Sequence, residues 1–175
     1  MQEFRFEEYY DGTYAAMSYE GDEADVVIPA EFSGQPVTVL ADDLFKGHAE
    51  IRSVKIPDTV KAIGGFVFDG CRELKEVRLP EDLEDMWQYA FSRCGIERII
   101  LTDKIKSIVP FTFKDCENLK TVICNPGLKD ICAFAFDGCG LLEEVVFGPG
   151  VKVSPLAFSS PTNAETGPFA PRAKN

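Results

Sequence analysis

Histidine and tryptophan are nearly missing from this chain of 175 residues, which has one of each, His48 and Trp87. A single imidazole leaves a Ser-His or Cys-His pair only one place to form, so nucleophilic catalysis has little to build on. Positive charge is also scarce: 18 Lys and Arg stand against 29 Asp and Glu, a net charge of −11. Such a surface repels phosphate backbones and anionic lipid, which argues against nucleic acid and membrane surfaces as partners. No apolar run is long enough to span a bilayer. The first residues, Met1-Gln2-Glu3-Phe4-Arg5-Phe6-Glu7-Glu8, contain neither a basic n-region nor an apolar h-region. The chain as it stands is therefore expected in the cytoplasm, and a trimmed N-terminus would make it secreted or cell-surface instead. A phosphate-cradling loop is lacking too, since Gly64-Gly65 and Gly148-Pro149-Gly150 precede no helical pattern.

Apolar residues, in contrast, are plentiful and ordered. They make up 45% of the chain, including 14 Phe. Phe45, Phe68, Phe91, Phe113, Phe136 and Phe158 follow one another at intervals of 22 or 23 residues. Five positions before each stand Leu40, Ile63, Met86, Ile108, Ile131 and Val153. A third column is Ile51, Leu74, Ile96, Leu119 and Leu142, and a fourth is Val54, Val77, Ile99, Val122 and Val145. Ile56, Leu79, Leu101, Cys124 and Phe147 form a fifth, and Val60, Leu83, Ile105, Leu128 and Val151 a sixth. A sustained period of this length is a solenoid signature.

Each period reads as one coil. Val77-Arg78-Leu79 alternates in and out as a strand does, and Pro80, Glu81 and Asp82 end it. Leu83 and the Ile63-type residues turn the chain back inward, and the coil closes at a turn containing Gly70. One coil cannot bury its own apolar face, but coils stacked at about 4.8 Å share a continuous core. The division expected is residues 1–38 as an N-terminal cap with the first strand, 39–158 as repeats, and 159–175 as a flexible tail. Within the cap, Phe4 to Met17 reads as a hairpin turning at Asp11-Gly12, and Val26-Val27-Ile28-Pro29 matches Val54-Lys55-Ile56-Pro57. The tail is rich in Pro, Ser, Thr, Asn and Ala.

The run Ile63-Gly64, Phe68, Gly70-Cys71, Leu74, Val77, Leu79-Pro80 and Leu83 resembles the leucine-rich repeat of the BspA type, also called the Treponema type. The lead-in Val27-Ile28-Pro29 with Gly34-Gln35-Pro36-Val37-Thr38 is similar to the entry of such arrays. The motif recurs five times over roughly residues 26 to 158. The resemblance implies a right-handed leucine-rich-repeat stack, mainly β, with one parallel sheet. It also implies a binding role, since bacterial members are often surface proteins that contact host or neighbouring-cell proteins. With so little for catalysis to build on, the chain is expected to be a non-catalytic binding module, of an adhesion type. Trp87, Val109 and Cys132 depart from the pattern where glycine is frequent, and His48 stands in the cysteine column.

Two surfaces invite a functional reading. The outward strand position holds Val27, Lys55, Arg78, Ile100, Ile123 and Val146, of which the last three form an apolar stripe. Arg98, Thr121 and Glu144 lie two positions upstream and would rim it. Such a stripe marks a protein-binding face, although β-branched residues also favour strands for their own sake. The second surface is an aromatic edge, with Phe66, Tyr89, Phe111, Phe134 and Leu156 two residues before each column Phe and Trp87 nearby. It reads either as rings packed half-buried over the turn or as a carbohydrate platform.

Other clusters read as structural. Cys71, Cys94, Cys116 and Cys139 form a line, and a line of thiols does not converge on a tetrahedral metal. They are expected to be buried thiols, with disulfides between neighbours left open by distance alone. Neither metal nor cofactor is expected. Glu81, Asp82, Glu84 and Asp85 read as a solvated turn. Arg52, Lys75, Glu97, Lys120 and Glu143 are expected to form a ladder of ion pairs. A bare C-terminal end is expected to be covered by the tail through Phe169 or by a second molecule, which makes end-to-end self-association a structural alternative.

Overall fold

The computed structural model describes residues 1–158. The expectations for the tail, Phe169 included, lie outside the described residues. The chain opens with an antiparallel hairpin of β1 (Glu3–Glu8) and β2 (Tyr14–Glu20). Its turn is set by Gly12 at φ 80° and by Asp11, whose carboxylate accepts hydrogen bonds from the Thr13 amide and hydroxyl. Next come β3 (Asp25–Val27), β4 (Glu31–Phe32) and β5 (Gln35–Leu40), with β4 and β5 antiparallel.

From there the chain winds as a solenoid. Its short strands are β6 (Ser53–Lys55), β7 (Ala62–Ile63), β8 (Asp85–Met86), β9 (Arg98–Ile100), β10 (Ser107–Ile108), β11 (Thr121–Ile123), β12 (Asp130–Ile131), β13 (Glu144–Val146) and β14 (Lys152–Val153). They belong to two parallel ladders rather than a single sheet. One ladder runs through β3–β6 and β9–β11–β13, and residues 76–78 join it by one bridge between Glu76 and Arg98. The other runs β5–β7–β8 and β10–β12–β14. The second ladder was visible in the sequence only as the Ile63 column, because two-residue strands are too short to show alternation.

Both ladders turn their column residues inward. The five Phe from Phe45 to Phe136 are buried and stack ring over ring, with centroids 5.0–5.7 Å apart, and Phe158 stacks on Phe136. The hairpin closes the N-terminal end of this stack. β2 pairs in parallel with β5, and Phe4 and Tyr19 set their ring edges on Phe45. The cap thus covers both the open strand edge and the open end of the core, as a stacked-repeat fold requires.

Each corner needs backbone that ordinary residues avoid. The position two before the column Phe takes positive φ at Asp43, Phe66, Tyr89, Phe111 and Phe134, and the position two after it does so at Gly47, Gly70, Arg93, Asp115 and Gly138. Non-glycine residues in this region cost about 1 kcal/mol or more each. Side-chain contacts offset that cost in the second column: Arg93 forms a forked pair with the buried carboxylate of Asp69, which also accepts from the Ser92 hydroxyl. Glycine is required elsewhere by proximity. A Cβ on Gly95 would collide with the Arg72 carbonyl oxygen of the coil below.

The expected ladder of ion pairs does not form. Backbone hydrogen bonds link Lys75 to Glu97, Glu97 to Lys120 and Lys120 to Glu143, so the column is in register. Among the described residues no ion pair joins these side chains. Charges pair instead as Arg78 with Asp58, Arg93 with Asp69, Lys104 with Asp82 and Lys114 with Asp137. Long exposed side chains gain little from any one partner, so alignment alone does not select one.

Candidate binding faces of the solenoid

The apolar stripe is built by register. Ile123 lies between Ile100 and Val146, and Thr121 between Arg98 and Glu144, so the six residues occupy two adjacent rows of β9–β11–β13. The residues between these rows, Ile99, Val122 and Val145, point into the core and are buried. Strand alternation therefore forces Ile100, Ile123 and Val146 outward. Ile100 is 51% exposed, while Ile123 and Val146 are half-buried by their neighbours. Beside Ile100, where the ladder is reduced to the single bridge, a hollow of about 380 Å³ opens between Val77, Arg78, Leu79, Ile99 and Thr102. The Thr102 hydroxyl oxygen is buried there without a hydrogen-bond partner among the described residues. Sequence reasoning missed this hollow, because nothing in the Val77-Arg78-Leu79 pattern announces that pairing lapses.

The aromatic edge is a second stack, parallel to the core one. Phe66, Tyr89, Phe111 and Phe134 lie face to face at 4.6, 4.9 and 5.2 Å, within 5° of parallel. Tyr89 and Phe111 spend both ring faces on their neighbours, and Phe66 and Phe134 spend one each. A sugar platform needs free faces, and of this group Trp87, 60% exposed, stands outside the stack. Lys46 places its ammonium 4.6 Å from the Phe66 centroid, and Lys114 lies 5.6 Å from that of Phe111.

The remaining candidates have local partners. His48 Nδ1 bonds a carboxylate, Glu50, at 2.7 Å rather than a hydroxyl or thiol, and its ring meets the edge of Tyr19. Of the acidic turn, Asp82 pairs with Lys104 at 2.7 Å, which holds its carboxyl below the usual range. Among the described residues, no three His, Cys, Asp or Glu side chains converge on a metal position. All six cysteines are free thiols. Cys71, Cys116 and Cys139 donate to the carbonyls of Phe45, Phe91 and Phe113 in the coil below, and Cys94 reaches the Leu74 carbonyl. Burial pushes the Cys94 and Cys124 thiols up to about 12 and raises Cys71 and Cys116 as well. A thiol reagent at neutral pH should therefore react first with half-buried Cys132 and slowly with Cys71, Cys94, Cys116 and Cys139. Mass spectrometry of the labelled native chain checks this, and rapid labelling of the whole column would contradict it.

Two parallel ladders, a stacked aromatic core and a repeating corner define a leucine-rich-repeat β-solenoid. A family model described as the BspA type leucine rich repeat region matches residues 38–165 in 6 copies, and the chain belongs to that family. A leucine-rich-repeat protein of Treponema pallidum, TpLRR, has a similar structure at 29% identity and a TM-score of 0.79, over 82% of this chain and 68% of that one. A leucine-rich-repeat protein of Bacteroides ovatus is similar at 22% identity and a TM-score of 0.67, over 91% of this chain and 50% of that one. A leucine rich cell surface protein of Faecalibacterium prausnitzii is similar at 18% identity and a TM-score of 0.56, over 84% and 54%. The last two show the fold alone, and this chain spans about half their length. No curated protein matches the sequence. No helix among the described residues is long and apolar enough to cross a membrane.

Proposed function

We propose that this chain is a non-catalytic protein-binding module, of an adhesion type, whose docking surface is the outward face of β9–β11–β13. The observation that carries the reading is the in-register stripe Ile100–Ile123–Val146, rimmed by Arg98, Thr121 and Glu144. Apolar side chains held on a rigid sheet lose little entropy on binding, and polar neighbours supply orientation. The hollow beside Ile100 offers a partner side chain an apolar recess.

The double substitution Ile100→Lys with Ile123→Lys tests the reading. Both side chains point away from the core, so the urea midpoint should stay close to that of the parent. Partner capture from source-cell and surrounding-matrix extracts should fall by about tenfold or more, as for loss of a central apolar contact. Undiminished capture by a folded double variant would remove this face from consideration.

A further inference from the structure

A second recess lies on the other ladder, where the hairpin meets the first coils. Met17, Ala41, Gly64 and Trp87 occupy successive places in one row, since the Ala41, Gly64 and Trp87 amides bond the Ala16, Leu40 and Ile63 carbonyls. The neighbouring row contains Val39 and Ala62. Small side chains thus leave a floor, which Trp87 walls on one side and the hairpin walls on the other. The resulting groove measures about 950 Å³. Its floor cannot fill in: a Cβ on Gly64 would lie 2.7 Å from the Asp42 amide nitrogen. Asp42 is itself fixed, because its carboxylate accepts the Gly65 amide at 2.8 Å.

The walls have one chemical character. Tyr9, Phe66, Trp87 and Tyr89 are aromatic, Glu7, Glu8 and Asp42 are acidic, and no Lys or Arg lines the groove. Glu7 already holds Arg5. Glu8 joins no ion pair among the described residues. Carboxylates beside aromatic rings, over an apolar floor, suit a cation carried on an aliphatic stem. The molecule holds its own ammonium groups this way, with Lys46 over Phe66. Phe66 and Tyr89 offer a sugar no ring face, since they stack on each other and their outer faces meet Lys46 and Phe111.

We propose that this groove binds the lysine or arginine side chains of an extended basic segment of a partner protein. The aliphatic stem lies over Ala41, Ala62 and Gly64, and the cationic head sits between the Glu8 carboxylate and Trp87. The site shares no residue with β9–β11–β13 and stands or falls separately from that face.

Trp87 is the only tryptophan, so its emission reports the groove alone. Octalysine titrated into the whole chain at low salt should shift that emission saturably. Glu8→Lys should weaken binding about tenfold, whereas Glu143→Lys, an equal change of charge in another part of the surface, should weaken it about twofold or less. Circular dichroism melting confirms that both exposed variants fold. Equal weakening by the two substitutions would mean diffuse attraction to an acidic protein and would overturn the proposal. So would an unchanged Trp87 emission at saturating octalysine. A shift produced by cellohexaose and not by octalysine would make the groove a sugar site. A shift with protein concentration alone would place a second copy there. Either result overturns the assignment to a basic peptide.

Discussion

Phe91→Ala should lower the stability of the solenoid by about 3–5 kcal/mol, the range for truncating a fully buried aromatic ring. Phe91 is fully buried, and its ring lies between those of Phe68 and Phe113, 5.0 and 5.7 Å away. No side chain from outside the stack can fill the space, because the coils above and below are spaced by backbone hydrogen bonds such as Phe68 N–H to Ala90 and Phe91 N–H to Thr112. Each coil is stabilised only by its neighbours, so a void in the middle separates two short arrays. Urea unfolding followed by circular dichroism should show a much lower midpoint, with a broadened transition if the halves melt apart. Phe158→Ala, at the end of the column and half-buried, should cost distinctly less.

Asp69→Ala should be the next most damaging, at about 2–4 kcal/mol. Burial alone would raise the pKa of this carboxyl. Hydrogen bonds from Arg93 and Ser92, with the Arg93 charge, outweigh burial and hold it below the ordinary aspartate value. Removing it strands the buried Ser92 hydroxyl and leaves Arg93 in its left-handed conformation with no compensating partner. The sign of the pH dependence follows. A carboxyl with a lowered folded pKa contributes stability that is complete above its unfolded value and is lost as pH falls through the folded one. Stability of the parent should therefore decline on the acid side of the aspartate range, and Asp69→Asn should flatten that decline. An unchanged acid limb in the variant would show that other carboxylates govern it.

These two residues differ in how far sequence could reveal them. Phe91 was legible because its column repeats through six coils and burial follows from the period. Asp69 was not, because its partner Arg93 is one coil away at a position where glycine stands in the coils of Gly47 and Gly70. The outward stripe was readable from strand alternation alone, and the structure places Ile100, Ile123 and Val146 side by side. The aromatic edge was readable as a column, but ring orientation depends on positive φ at Phe66, Tyr89, Phe111 and Phe134, which composition does not announce. Charged columns misled for a physical reason: backbone register fixes where Lys75 and Glu97 start, not where their ends go. The hairpin groove was hidden because half of it comes from outside the repeat. Its one visible trace was Trp87 standing in the column of Gly64.

The most direct test of a docking role for β9–β11–β13 is site-specific photocrosslinking. Benzoylphenylalanine would be placed at Ile123 in one variant and at Asp130, half-buried on the second ladder, in another. Both would be irradiated in the presence of the captured partner. The account predicts a crosslinked product from the Ile123 probe and none from the Asp130 probe. Crosslinking from Asp130 with none from Ile123 would contradict it.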